Sequence, residues 1–343
     1  MEADSRVPKK NIQDFESFIS QYNSFCIVMH VNPDGDAIGS ALGLMHFLNN
    51  IGKETVVITP NDYPAFLQWL PGQEKVYNHL KEKYKSESAV KSCEALFCVD
   101  FNDVERAGNS ADVIRKFGGA SFLIDHHPVR EQFTDFRICD VSYCATAELL
   151  FELAEKSKFA EYINREVAES LFTGILTDTG SFQHASSDPR IFINVGKLLS
   201  YGLNKDEIHE KVYDNYSSAR MQLMGSALKD NMTILDDVNT AYITLSLAEL
   251  KHYHYEPGDT EGFVNLPLSI KGIRFSVFFM ERYDHIKLSL RSKGNFPANE
   301  FASKYYQGGG HKNAAGGRFY GTLEQAVENF EDNLNEYKKE LTE

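Results

Sequence analysis

The run Phe25-Cys26-Ile27-Val28-Met29, followed at once by His30-Val31-Asn32-Pro33-Asp34-Gly35-Asp36, constrains this chain more than any other feature. A short unbroken apolar run bounded by turn residues reads as a strand buried on both faces. The chain then presents one imidazole and two carboxylates on a Pro/Gly-punctuated loop, and a helical pattern follows from about Ala37 to Asn50. Gly52 lies just beyond it as a stop. A strand, a donor-bearing loop and a helix in that order predict an α/β fold with a mostly parallel sheet and flanking helices. In such sheets ligands bind in the crevice at the carboxyl ends of the strands.

Further runs predict strands over Thr55 to Thr59, Ala95 to Val99 and Ser121 to Ile124, and helices over Thr146 to Lys156 and Glu161 to Thr177. Two of these strands also end on donors, Asp100 after one and Asp125-His126-His127 after another. Asp178 closes the second helical pattern, where a carboxylate opposes the helix dipole at a cost of roughly a few tenths of a kcal/mol unless a cation sits there. Taken singly, Asn32-Pro33-Asp34-Gly35 would be a turn and Asp36 an N-cap. Six donors at one sheet edge are more than folding requires.

Carboxylate oxygen with imidazole nitrogen suits Mn²⁺ foremost, then Mg²⁺, Co²⁺ or Zn²⁺. Four carboxylates and two neutral imidazoles carry the charge that balances two divalent ions. One ion is assigned His30 and Asp34, the other Asp36, His126 and Asp178, with Asp100 bridging. Two such ions lower the pKa of a bridging water and clamp phosphoryl oxygens. The expectation is a two-metal phosphoesterase.

At 343 residues two domains are the default. Residues 1–190 form the metal-binding α/β domain, 191–230 a helical connection, and 231–343 a smaller α/β domain with a mixed sheet. Its strands are predicted over Thr240 to Leu245, Ile273 to Met280 and His285 to Leu290, with a closing helix from Leu323. Gly308-Gly309-Gly310 allows backbone N–H groups to converge into an anion-binding nest, to which His311 and Lys312 add donors. Arg291-Ser292 follows the strand that ends at Leu290, where an arginine is suited to a bidentate phosphate contact. The net charge of −14 argues against coating long nucleic acid but admits a short phosphorylated substrate beside metal ions. The polar start MEADSRVPKKNIQDF has no apolar h-region, and no apolar stretch approaches a membrane span. The five cysteines form no C-x-x-C pair, and Cys26 and Cys98 lie in apolar runs, as buried reduced thiols do. A cytoplasmic protein is expected.

The segments His30-x-Asn32-Pro33-Asp34-x-Asp36-Ala37-Ile38-Gly39-Ser40, Asp100, Asp125-His126-His127 and Thr177-Asp178-Thr179-Gly180 resemble, in order, the four motifs of the DHH phosphoesterases. That resemblance implies the same six metal ligands. It further implies that His127 faces substrate phosphate as a positive or proton-donating group, and that Asp125 orients its neighbours rather than binding metal. The Gly-Gly-Gly-His segment resembles the accessory domain that follows the DHH domain in NrnA-type members, although Lys312-Asn313-Ala314-Ala315 departs from the Pro-containing form common there. Those enzymes hydrolyse short oligoribonucleotides, typically dinucleotides, and many dephosphorylate 3′-phosphoadenosine 5′-phosphate. By that resemblance His311 and Arg291 hold phosphates of a short substrate in a cleft between domains. Linear or cyclic dinucleotide messengers are the alternative substrates, and a non-catalytic nucleotide-binding regulator is the alternative class. The sequence leaves open cleavage polarity, substrate length and base, the physiological metal, and whether the protein is a monomer or a homodimer.

Overall fold

The computed structural model describes residues 6–342. Residues 1–5 of the polar start weighed against a secretory leader fall outside that range. The chain divides into two compact units between Asn215 and Tyr216.

The first unit is built on six strands: β1 (Ser24–Val28), β2 (Glu54–Thr59), β3 (Val76–Asn78), β4 (Ala95–Val99), β5 (Ala120–Asp125) and β6 (Phe136–Cys139). All pair in parallel, in the order β3-β2-β1-β4-β5-β6. The central strands β1 and β4 are apolar and buried, so both faces must be covered. The helices Gly35–Asn50, Thr146–Lys156 and Arg165–Asp178 contribute Leu42, Phe47, Leu150, Phe151, Leu171 and Phe172 to one core, which Phe15 and Phe18 of the helix Lys9–Gln21 extend. A second core lies under Val90, Val104 and Ile114 and includes the buried thiols of Cys26 and Cys98. Strand order reverses between β1 and β4, which makes that edge the topological switch point of the sheet.

Two of these helices cross unusually closely. A Cβ at Gly39 would lie 2.5 Å from the Ser170 carbonyl oxygen and 2.8 Å from the Gly174 amide nitrogen. Only hydrogen fits there, and the contact fixes the first turns of one helix against the middle of the other.

The second unit holds β7 (Met232–Leu235), β8 (Thr240–Leu245), β9 (Phe275–Glu281), β10 (Ile286–Ser292), β11 (Gly309–His311) and β12 (Ala314–Phe319). The order is β11-β12-β10-β9-β8-β7, antiparallel except for the β8–β9 pair. The helices Ala298–Tyr305 and Leu323–Leu334 cover one face around Phe275, Phe279 and Leu288. On the other, the helix Ser218–Lys229 and the turn Phe263–Ser269 cover Ile243, Leu245, Phe278 and Met280.

The stretch 191–230, expected as a connection, is shared out. Ile191, Val195, Leu198, Ile208 and Val212 join the first core, whereas Leu223 and Ala227 join the second unit. The glycine run expected to form a nest instead leads into strand β11, with Gly309 opposite Gly316 and His311 opposite Ala314. Cβ atoms at Gly308 and Gly310 would collide with the carbonyls of Gly316 and Ala314, so backbone approach within a hairpin accounts for those two glycines. Strands β3 and β6 and the helix Lys9–Gln21 have no counterpart in the sequence reading. Among the described residues no helix is long and apolar enough to cross a membrane.

Candidate metal centre

His30 follows β1 and Asp100 follows β4, the two strands that flank the switch point, and Asp125-His126-His127 ends β5. Asp100 has a left-handed backbone (φ +66°), a conformation that aspartate tolerates better than most residues. Its N–H still donates to the Ile124 carbonyl at 3.1 Å, so the turn that lifts its carboxylate over the edge is tied to β5.

Asp34, not Asp36, caps the helix Gly35–Asn50. Its Oδ1 accepts from the amides of Asp36 (3.1 Å) and Ala37 (3.0 Å), which leaves Oδ2 facing His30 Nε2 at 3.8 Å. Asp36 is buried in the first turn. It accepts from the amides of Thr146 (2.7 Å) and Ala147 (2.9 Å), where the helix Thr146–Lys156 begins, and from the Ser40 hydroxyl (3.1 Å). Those N–H groups lie at the positive end of that helix dipole and hold the carboxylate in place.

Both candidate histidine ligands are oriented the same way. Each Nδ1 meets a backbone carbonyl, Val31 for His30 (2.9 Å) and Tyr143 for His126 (3.3 Å). A carbonyl only accepts, so Nδ1 carries the proton and Nε2 keeps the lone pair of the neutral ring. His30 Nε2 is buried with no hydrogen-bond partner, although Asp100 Oδ2 lies 3.4 Å away. His126 Nε2 faces Asp100 Oδ1 (3.7 Å), Asp178 Oδ2 (3.7 Å) and Asp36 Oδ2 (3.9 Å). Lone pairs aimed at carboxylates at such distances repel unless a cation lies between them. Ligands sharing one ion of 2.0–2.1 Å bond length stand roughly 3–3.5 Å apart, so a small inward movement would close either group around an ion. The donors form two sets, His30-Asp34-Asp100 and Asp36-His126-Asp178, and the two oxygens of Asp100 face one set each.

The electrostatics of the site reflect the same crowding. Burial opposes a charge on His126, but Asp178, Asp36 and Asp100 outweigh it and push its pKa up. Burial likewise opposes a charge on His30, and its contact with Asp100 and the charge of Asp34 overcome that and raise it. Burial raises Asp36, helped by Asp100 and Asp178, and raises Asp178 against the pull of His126. Asp100 moves the other way: burial works against its charge, yet His30, His127 and His126 hold it below the usual carboxylate range. Without a metal the cluster retains protons, as a set of anionic ligands does when only protons compensate it.

His127 Nδ1 donates to Asp125 Oδ1 at 2.7 Å. Asp125 is fully buried and thereby fixes the tautomer of its neighbour. Nothing in the local pattern of the chain points to the part played by Thr146. Its hydroxyl donates to Asp100 Oδ1 at 2.9 Å and accepts from the His126 amide at 3.3 Å, while its own amide holds Asp36. In the second unit Arg291 is half-buried near the end of β10, the Ser292 hydroxyl donates to the Phe296 carbonyl at 2.7 Å, and His311 is exposed at the end of β11.

Residues 24–175 match the DHH family, N-terminal domain, and residues 238–340 the DHHA1 domain. The bifunctional oligoribonuclease and PAP phosphatase NrnA of Thermus thermophilus is 33% identical over 324 residues, spanning 92% of this chain and 90% of that protein. The protein of the same name from Bacillus subtilis is 27% identical over 304 residues, spanning 88% and 91%. Among solved structures, an exopolyphosphatase-related protein from Bacteroides fragilis is 40% identical with a TM-score of 0.96, covering 99% of this chain and 100% of that one. The chain belongs to the DHH family of metal-dependent phosphoesterases and carries a DHHA1 domain in its second half.

Proposed function

We propose that this protein hydrolyses phosphate esters in short oligoribonucleotides, dinucleotides above all, and in 3′-phosphoadenosine 5′-phosphate, using two Mn²⁺ ions. The observation that carries this reading is the pair of oriented imidazoles, each with Nδ1 on a carbonyl and Nε2 among carboxylate oxygens at 3.4–3.9 Å. The donor set fits divalent ions in number, charge and chemistry. The NrnA relatives, named for both activities, support the substrates.

His30 and Asp34 would hold one ion, Asp36, His126 and Asp178 the other, and Asp100 both. Ions so held lower the pKa of a water and offset phosphoryl charge. Thr146 and the amides of Thr146 and Ala147 keep Asp100 and Asp36 in register. His127, its Nδ1–H fixed on Asp125, would as the imidazolium carry a second proton on Nε2 and hand that proton to the leaving oxygen. Arg291 and His311 would hold substrate phosphates. All five cysteines are free thiols, three of them buried, which agrees with work in the cytoplasm.

The test is release of mononucleotides from a 5′-phosphorylated RNA dinucleotide, and of phosphate from 3′-phosphoadenosine 5′-phosphate, with Mn²⁺ and with chelator. Turnover that needs Mn²⁺ is expected on both. Inactivity on both, or activity only on cyclic dinucleotides, overturns the assignment.

A further inference from the structure

We propose that Arg6, just before the first helix, is a positioning residue for the metal centre. It sets the segment 142–146, and through that segment the ring of His126 and the carboxylate of Asp36. The inference rests on the function proposed above and deepens it.

The segment follows β6 and runs into the helix Thr146–Lys156, and its inner side meets the candidate ligands. The Tyr143 carbonyl accepts from His126 Nδ1 (3.3 Å), the Thr146 amide donates to Asp36 (2.7 Å), and the Thr146 hydroxyl donates to Asp100 (2.9 Å). A segment that aims three ligands must itself be fixed, yet residues 142–145 belong to no helix or strand.

Arg6 holds the outer side. Its guanidinium donates to the Ser142 carbonyl at 2.9 Å, lies over the Tyr143 ring 3.8 Å from the centroid, and pairs with Glu148. The other oxygen of Glu148 accepts from the Cys144 amide at 3.1 Å. The Arg6 amide donates to Glu152 Oε1 (2.8 Å), and Glu152 Oε2 accepts from the Tyr143 hydroxyl (3.0 Å). Ser142, Tyr143 and Cys144 are thus each held by Arg6 or by a glutamate bound to it. Val7, buried in the first core, anchors the stretch that carries Arg6.

Stability alone does not account for this arrangement. The side chains of Arg6 and Glu148 are 4% and 0% exposed, and Glu152 stands one helical turn from Glu148, where like charges repel. Taking charges out of water costs about what their attraction returns, so apolar side chains of similar volume serve a fold as well. Direction is what an apolar group cannot supply. The planar fork of an arginine fixes a carbonyl, a ring and a carboxylate at set angles at once.

The effect falls on one set of donors. His126 and Asp36, which the segment orients, belong with Asp178 to one ion. The other set is oriented within its own loop and helix, His30 by the Val31 carbonyl (2.9 Å) and Asp34 by the amides of Asp36 and Ala37.

The test titrates wild type, Arg6→Met and Arg6→Met/Glu148→Gln with Mn²⁺ by calorimetry, and melts each in chelator. The double variant removes cation and anion together, and its glutamine carbonyl can still accept from Cys144. Its thermal midpoint should return towards wild type while one of the two ions stays bound about tenfold more weakly, the lower end of what outer contacts change. The other ion should bind as in wild type. Affinity that recovers with the midpoint, equal loss for both ions, or unaltered binding in both variants overturns the positioning role. So does a double variant that fails to fold, which would make Arg6 a folding residue. A wild type that takes up no Mn²⁺ removes the proposed function and the positioning role together. If one ion is selectively weakened but wild type hydrolyses neither proposed substrate, the proposed function fails and the positioning role stands.

Discussion

Replacing Thr146 by valine keeps the shape of a buried residue and deletes one hydroxyl. That hydroxyl donates to Asp100 Oδ1 at 2.9 Å and accepts from the His126 amide at 3.3 Å. A bond to a charged acceptor contributes about 1.5–3 kcal/mol, and an amide left buried without a partner costs about 1–3 kcal/mol. Part of that loss falls on folding, so the chelated protein should melt several degrees lower. The rest falls on orientation. Asp100, the residue shared by both sets of donors, loses the group that holds one of its oxygens. Outer contacts of this kind change metal affinity by about 10–100-fold, or roughly 1.4–2.7 kcal/mol by the tenfold-per-unit relation. Calorimetric titration with Mn²⁺ should show that weakening in Thr146→Val, and Thr146→Ser, which restores the hydroxyl, should reverse it. A variant that melts early yet binds Mn²⁺ as tightly as wild type would refute the reasoning and leave Thr146 a packing residue at the start of its helix.

Three further outcomes follow from the geometry. In chelator, the thermal midpoint should fall between pH 5 and 9: Asp178 is pushed up to about 7 from 3.8 and His126 up to about 9 from 6.5. The folded state then binds more protons than the unfolded one, and stability is lost as pH rises through those windows. Saturating Mn²⁺ replaces the protons and should abolish or invert the trend, and a midpoint that rises with pH in chelator would contradict it. Gly39→Ala forces a methyl against the Ser170 carbonyl and the Gly174 amide, and denaturant melts should show a loss of about 1–3 kcal/mol, as overpacked cores do; an unchanged midpoint would mean that the helices part without cost. His127→Asn should lower kcat on the RNA dinucleotide by about 10²–10⁴-fold, the usual share of a general acid, while Mn²⁺ affinity by titration changes little; a matching collapse of metal affinity would make His127 a ligand.

Much of the first unit was legible because its signals are local. Buried parallel strands must be continuous apolar runs, so β1, β2, β4 and β5 were visible within a residue or so at each end. The donors were visible because they stand directly after those runs, and in a parallel sheet all such positions reach one edge. Strands β3 and β6 were not, being only 3 and 4 residues long and partly exposed, too short for a pattern to show. The glycine run was misread for a related reason. Adjacent glycines permit a nest or a close hairpin equally, and only the carbonyls of Gly316 and Ala314, brought up by pairing with β12, select the hairpin.

By itself the sequence determined which strand-end donors meet at the sheet edge, since order along the chain and strand direction suffice for that, whereas Asp178, at the end of a helix, joins them only through the packing of that helix against Gly39. Only the tertiary structure decided how those atoms are held. The Thr146 hydroxyl reaches an aspartate 46 residues away, and its amide one 110 residues away. The cap fell to Asp34 and freed Asp36 for burial, because the helix beginning at Thr146 offered its first amides to the carboxylate further inside. Arg6 reaches Glu148 across 142 residues. Hydrogen bonds at such separations leave no periodicity in the chain, so no local pattern records them.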